Sequence, residues 1–192
     1  MRSKTASVLF ATVLCAALAA LPAQAQTCVT FGPPPALGTT YAPPAFVNGS
    51  LAFTQNGIPV RLYNFRLSTG PFIFNRAYID NAPFPFGSGQ SIRTNNVNLQ
   101  FDFTGLPFRV RRVKLAFLDL GGYENLSVNG SNLYVGELTA APAALNGVGV
   151  SVSASPLPPP LGGKTGSVVL TGNVQTLRIG GQELWIDEVC AM

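Results

Sequence analysis

The sequence predicts an all-β chain: an antiparallel β-sandwich of jelly-roll type, with its first and last strands adjacent. Three observations carry this. Short apolar segments recur along the chain, punctuated by Gly, Pro and Asn, with 20 Gly and 16 Pro among 192 residues. Helical periodicity is nearly absent. Two cysteines, Cys28 and Cys190, stand near the two ends of the part that should fold.

The first 25 residues read as a signal peptide. Arg2 and Lys4 supply a positive start, Val8 to Ala20 is an uncharged apolar run, and Ala23-Gln24-Ala25 is a small-x-small cleavage site. Residues 26–192 then form one domain, a normal size for a single core. Cys15 leaves with the signal, which leaves Cys28 and Cys190. In an oxidising compartment they are expected to form one disulfide joining the ends. A bridge needs Cα atoms within about 7 Å, so the terminal strands must neighbour each other.

The strands follow in order. Ser50–Thr54 and Pro59–Phe65 flank Gln55-Asn56-Gly57, and Asn-Gly is a strong hairpin signal. Phe72–Tyr78 is next. Val97–Phe103 alternates, with Val97, Leu99, Phe101 and Phe103 on one face and Asn98, Gln100 and Asp102 on the other. Val110–Leu118, Asn125–Val128, Leu133–Leu138 and Val148–Ala154 continue the pattern. Ser167–Leu170, Val174–Ile179 and Glu183–Val189 complete it. Leu138–Leu145 is Ala-rich but holds Pro142, so it allows one helical turn at most. The prolines from Pro156 to Pro160 read as a surface loop between strands.

Composition removes several function classes. The chain has no His, which excludes Ser-His-Asp and Cys-His catalysis and most catalytic zinc sites. Two of the 12 basic residues leave with the signal, against 8 acids, so the net charge falls from +4 to +2. That balance gives no steering toward nucleic acid. No apolar run after the signal is long enough to span a membrane, and the folded chain is expected to be secreted or periplasmic.

Chemistry must then come from acids, amides and aromatics. Asp119, Tyr123, Glu124 and Asn125 sit together around Gly121-Gly122, and are the candidate ligand contacts. A ring beside polar groups on a loop can stack on a sugar face. Phe84 and Phe86, in a Pro- and Gly-rich loop, are expected to fold back and plug an end of the sandwich. Arg109, Arg111, Arg112 and Lys114 gather four basic residues where the alternation breaks, which reads as the start of a charged edge strand. In Glu183–Val189, alternation puts Glu183, Trp185, Asp187 and Val189 on one face and Leu184, Ile186 and Glu188 on the other.

The two ends resemble secreted bacterial jelly-roll domains, among them carbohydrate-binding modules of the galactose-binding-like type. The likeness lies in Cys28-Val29-Thr30-Phe31, Gly38-Thr39-Thr40-Tyr41 and Leu184-Trp185-Ile186-Asp187-Glu188-Val189. It implies a glycan or polysaccharide partner and a structural calcium ion. Asp187 matches one calcium ligand, but the family's acid after the first-strand Phe is Gly32 here. The expected function is therefore an exported, non-catalytic binding domain for carbohydrate. A structural or surface-assembly protein is the alternative. A polysaccharide-processing enzyme using acids such as Asp102 and Glu183 is a third.

Overall fold

The computed structural model describes residues 25–192. Residues 1–24, which hold nearly all of the expected signal peptide, lie outside the described residues. The strands are β1 (Thr27–Val29), β2 (Thr40–Tyr41), β3 (Leu51–Gln55), β4 (Ile58–Arg66), β5 (Phe72–Ile73), β6 (Arg76–Asn81), β7 (Gln90–Asn95) and β8 (Val97–Asp102). They continue with β9 (Arg112–Asp119), β10 (Glu124–Val128), β11 (Tyr134–Gly136), β12 (Ala144–Leu145), β13 (Val148–Pro156), β14 (Lys164–Thr171), β15 (Thr176–Gly181) and β16 (Leu184–Ala191). The only helical element among the described residues is the 3-10 turn Leu138–Ala140, inside the Ala-rich stretch that allowed one turn.

Two antiparallel sheets pack as a sandwich. The first runs β12-β13-β14-β9-β16-β7-β6-β2, with β1 also on β16. The second runs β11-β10-β15-β8-β4-β3, with β5 on β4. Inward residues of both sheets form one core that includes Leu62, Leu99 and Phe101 from one side and Leu115, Phe117 and Ile186 from the other. The clean alternation of β8 is what makes it a half-buried strand: Val97, Leu99 and Phe101 are fully buried. Asp102 ends that strand by accepting the Thr104 N–H at 2.9 Å and hydroxyl at 2.6 Å. The β3–β4 hairpin turns on Asn56 and Gly57, both at positive φ (51° and 78°), as an Asn-Gly hairpin requires.

The terminal strands are neighbours. Cys28 faces Cys190 in the β1–β16 register, and the two form a disulfide. β16 therefore carries β7 on one side through Leu184–Ile186, then β1 through Val189–Ala191. Between these stretches the β9–β16 register slips, with Asp187 opposite Ala116 and Cys190 opposite Lys114. Glu188 is the extra residue, at φ 52°.

That bulge corrects the expected faces of β16. Val189 does not share a face with Trp185 and Asp187; it joins Leu184 and Ile186 in the core. Trp185 turns to the outer face of the first sheet, into a small cluster with Leu118 and Leu157. The Arg93 guanidinium lies 4.4 Å from its ring centroid. Phe84 and Phe86 do fold back, but onto this outer cluster rather than across an end of the sandwich. The basic segment is also corrected: β9 is an inner strand between β14 and β16, not an edge. Its irregular start has another cause, since the amides of Arg111 and Arg112 both bond the Met192 carbonyl.

Candidate functional site

Three loops meet at one end of the sandwich. The β9–β10 loop carries Leu120–Tyr123, the β15–β16 turn carries Gln182 and Glu183, and Asn96 forms the corner between β7 and β8. Asn96 is at φ 52°, so one residue takes the chain from one sheet to the other. Together Asn95, Asn96, Leu120, Gly121, Gly122, Gln182 and Glu183 line an open cleft of about 460 Å³. Gly122 must be glycine twice over: its φ is +96°, and a Cβ there would stand 2.7 Å from the Gln182 side chain. The Tyr123 amide donates to Gln182 Oε1 at 3.0 Å, which ties the two loops. The Tyr123 ring itself is exposed, at 44%. Asn96 Nδ2 donates to Asn95 Oδ1 at 3.0 Å, while Asn96 Oδ1 is buried without a partner.

Beside this cleft lies a group of carboxylates. On β9 the core residues are Val113, Leu115 and Phe117, and Asp119 is in step with them. On β10 the core residues are Leu126 and Val128, and Glu124 is in step. Two acids thus point inward from opposite sheets where the apolar core ends. Both are buried, Asp119 at 3% exposure and Glu124 at 0%. Glu137, half-exposed beyond β11, completes a set whose carboxylate oxygens lie within 4.8 Å of one another.

Each acid is anchored by a donor. Asp119 Oδ1 accepts the Gly121 N–H at 2.8 Å. Glu124 Oε2 accepts the Leu138 N–H at 3.2 Å. Glu137 Oε2 pairs with the Lys164 ammonium. Lys164 stands directly opposite Asp119 in the β14–β9 register. Tyr134 Oη donates to the Glu137 carbonyl at 2.8 Å.

Burial dominates the electrostatics. It pushes the Glu124 carboxyl up to about 8, and the nearby Asp119 charge adds to the effect. Burial raises Asp119 as well. Glu124 therefore keeps its proton near neutral pH, held beside Asp119. In its charged form, Glu124 Oε1 has no hydrogen-bond partner. Lys164 is raised, chiefly by its hydrogen bond to Glu137.

Of the four residues expected to contact a ligand, the fold brings Asp119 and Glu124 together and leaves Tyr123 at the cleft margin. Asn125 goes elsewhere. Strand alternation turns it away from Glu124, where it is fully buried and bonded to Arg66 and Asn98. Glu137, just after the β11 partner of β10, and Lys164, on β14, reach this site through strand pairings that the residues themselves do not announce. Asn95, Asn96 and Gln182 could have been found only as polar residues at turns.

Asp187 does not join this end. Its Oδ2 accepts the Ser88 N–H at 2.6 Å and the Ser88 hydroxyl at 3.2 Å, and its Oδ1 accepts the Glu188 N–H at 2.7 Å. Gly87, at φ +59°, packs so closely on this carboxylate that a Cβ would overlap it. These donors occupy both oxygens of Asp187 and, among the described residues, no second carboxylate faces them, so the residues at Asp187 do not fit the calcium ion that the terminal-strand resemblance implies. Asp187 instead pins the loop before β7 to the bulge of β16.

A second recess lies on the outer face of the second sheet, lined by Asn48, Tyr63, Asn64, Phe72 and Arg178. The Arg178 guanidinium sits 3.8 Å from the Tyr63 ring centroid and donates to Gln100 Oε1 at 2.7 Å. One face of that ring is thereby already covered.

The chain matches no family profile, no curated protein and no solved structure.

Proposed function

We propose that this chain is an exported, non-catalytic binding domain of jelly-roll type whose ligand is a carbohydrate. The observation that carries this reading is the loop-end cleft. Its wall offers three carboxamides, from Asn95, Asn96 and Gln182, together with the Glu183 carboxylate and backbone exposed at Gly121 and Gly122. The Asn95 and Gln182 oxygens already accept bonds within the protein, so their amides offer N–H donors while the Glu183 carboxylate accepts, a combination that sugar hydroxyls can use. The exposed Tyr123 ring at the margin supplies an apolar face of the kind that a sugar ring stacks on. The disulfide and the lack of a long apolar helix among the described residues are compatible with an extracytoplasmic setting.

A glycan array followed by calorimetry on the positive ligands tests it. Tyr123→Ala and Glu183→Ala should each weaken binding roughly tenfold, about 1.4 kcal/mol, with the melting temperature unchanged. A folded chain that binds no glycan on the array overturns the reading.

A surface-assembly role has one observation in its favour. β13 is nine residues long, but β12 covers only its start, at Val148 and Gly149. The stretch Ser151–Pro156 is left as an uncharged sheet edge. A chain that stays monomeric at high concentration in sedimentation experiments excludes this role.

A further inference from the structure

The carboxylate group at the loop end carries an inference that does not depend on the glycan reading. We propose that Asp119, Glu124 and Glu137 form a binding site for one divalent cation of the calcium type. Three features of the site argue for it.

The first is ligand chemistry. All three side chains offer carboxylate oxygens, the donors that hard cations take, and they come from three separate elements that converge. Oxygens within 4.8 Å of one another can all be reached by a single ion with contacts of about 2.3–2.6 Å.

The second is the buried oxygen. Glu124 is 0% exposed, its Oε2 is held by the Leu138 amide, its Oε1 has no partner, and one oxygen of its carboxylate lies within 4.8 Å of the other two acids. An ionised carboxylate left this way in a protein interior is costly. Backbone amides already orient Asp119 and Glu124, so a cation would find its ligands positioned.

The third is charge. With all three acids ionised, the site holds three negative charges against the one positive charge of Lys164. A dication balances what remains. Lys164 is then a competitor that occupies Glu137 while the ion is absent.

The test is calcium titration of the chelator-treated chain from Gln26 onward, by calorimetry and by thermal melting, with magnesium as comparator. One-site binding is expected, with a rise in melting temperature. Glu124→Gln should lower affinity by roughly tenfold or more. Should that buried substitution fail to fold, Glu137→Gln at the half-exposed position should lower affinity in the same direction. Lys164→Ala should raise it by removing the competing ammonium. Absence of any calcium-dependent heat or melting shift in the folded chain overturns the proposal. So does unchanged affinity in folded Glu124→Gln and Glu137→Gln.

Discussion

Asn125 of β10 clasps the backbone of Arg66 with both atoms of its carboxamide. Oδ1 accepts the Arg66 N–H at 2.7 Å and Nδ2 donates to the Arg66 carbonyl at 3.0 Å. Asn98 Nδ2 adds a second donor to the same Oδ1 at 3.1 Å and also bonds the Asn64 carbonyl at 2.7 Å. The end of β4 has no strand partner on this side, so two side chains take the place of a ladder. Asn125→Ala would leave the part-buried Arg66 N–H and C=O without this partner and remove an acceptor from the buried Asn98 amide. The expected loss is about 1–3 kcal/mol, read from urea denaturation. Asn125→Asp should cost a similar amount, because a carboxylate cannot donate to the Arg66 carbonyl.

Glu188 supplies a prediction of the opposite sign. It occupies the left-handed region at φ 52°, which side chains with a Cβ adopt at a cost. Glycine adopts it freely, against some added entropy in the unfolded chain. Glu188→Gly should therefore raise stability, by about 0.5–1 kcal/mol on those two terms. Differential scanning calorimetry checks it. A fall in melting temperature would mean that the Glu188 side chain itself stabilises the bulge.

The acid group sets a pH dependence in chelator-treated protein. Glu124 titrates at about 8 in the folded chain against an ordinary value of 4.5. Between those values the folded state holds more protons than the unfolded one. Stability is then greatest on the acid side of the window and is lost as pH rises through about 8. The raised carboxyls of Asp119 and Asp187 act in the same direction. Melting temperatures from about pH 5 to pH 9 should fall by several degrees. Glu124→Gln should flatten that slope, and it should melt above the parent chain at the alkaline end.

These features differ in how well the sequence announces them. Alternation locates β8 because Val97, Leu99 and Phe101 fill successive inward positions. It misses β7, where Thr94 takes an inward position instead of an apolar residue. That hydroxyl is satisfied inside the protein, donating to the Leu184 carbonyl at 3.1 Å and accepting the Gly181 N–H at 3.0 Å. Phe72–Tyr78 reads as one strand, yet the chain breaks after Ile73 and resumes at Arg76. The β16 faces fail at one residue: a bulge reverses the parity of everything after it, and nothing in Asp187-Glu188-Val189 marks it.

The candidate site was legible only where it is local. Asp119 and Glu124 lie five positions apart in sequence, and their loop has two glycines to announce it. Their convergence depends on β9 and β10 belonging to opposite sheets, which turns two solvent-facing acids into a buried pair. Glu137 reaches the same point through the local β10–β11 hairpin, in which Gly136 faces Glu124, and Lys164 through the long-range β14–β9 pairing. Asn125 illustrates the converse, since a residue next to Glu124 in sequence is sent to the other side of its sheet.

The Cys28–Cys190 bridge, across a sequence separation of 162, makes the folded backbone a closed loop in all but one link. Such a chain has no privileged beginning. Joining the ends through a short linker and opening the exposed stretch at Pro158–Leu161 should give a permuted protein with the same sandwich, β13 and β14 becoming the terminal strands. Whatever attaches to either end of the domain is held at one spot beside β16. The loop-end cleft adjoins Leu120 and Glu183, at the opposite end of the β9–β16 pair from the bridge.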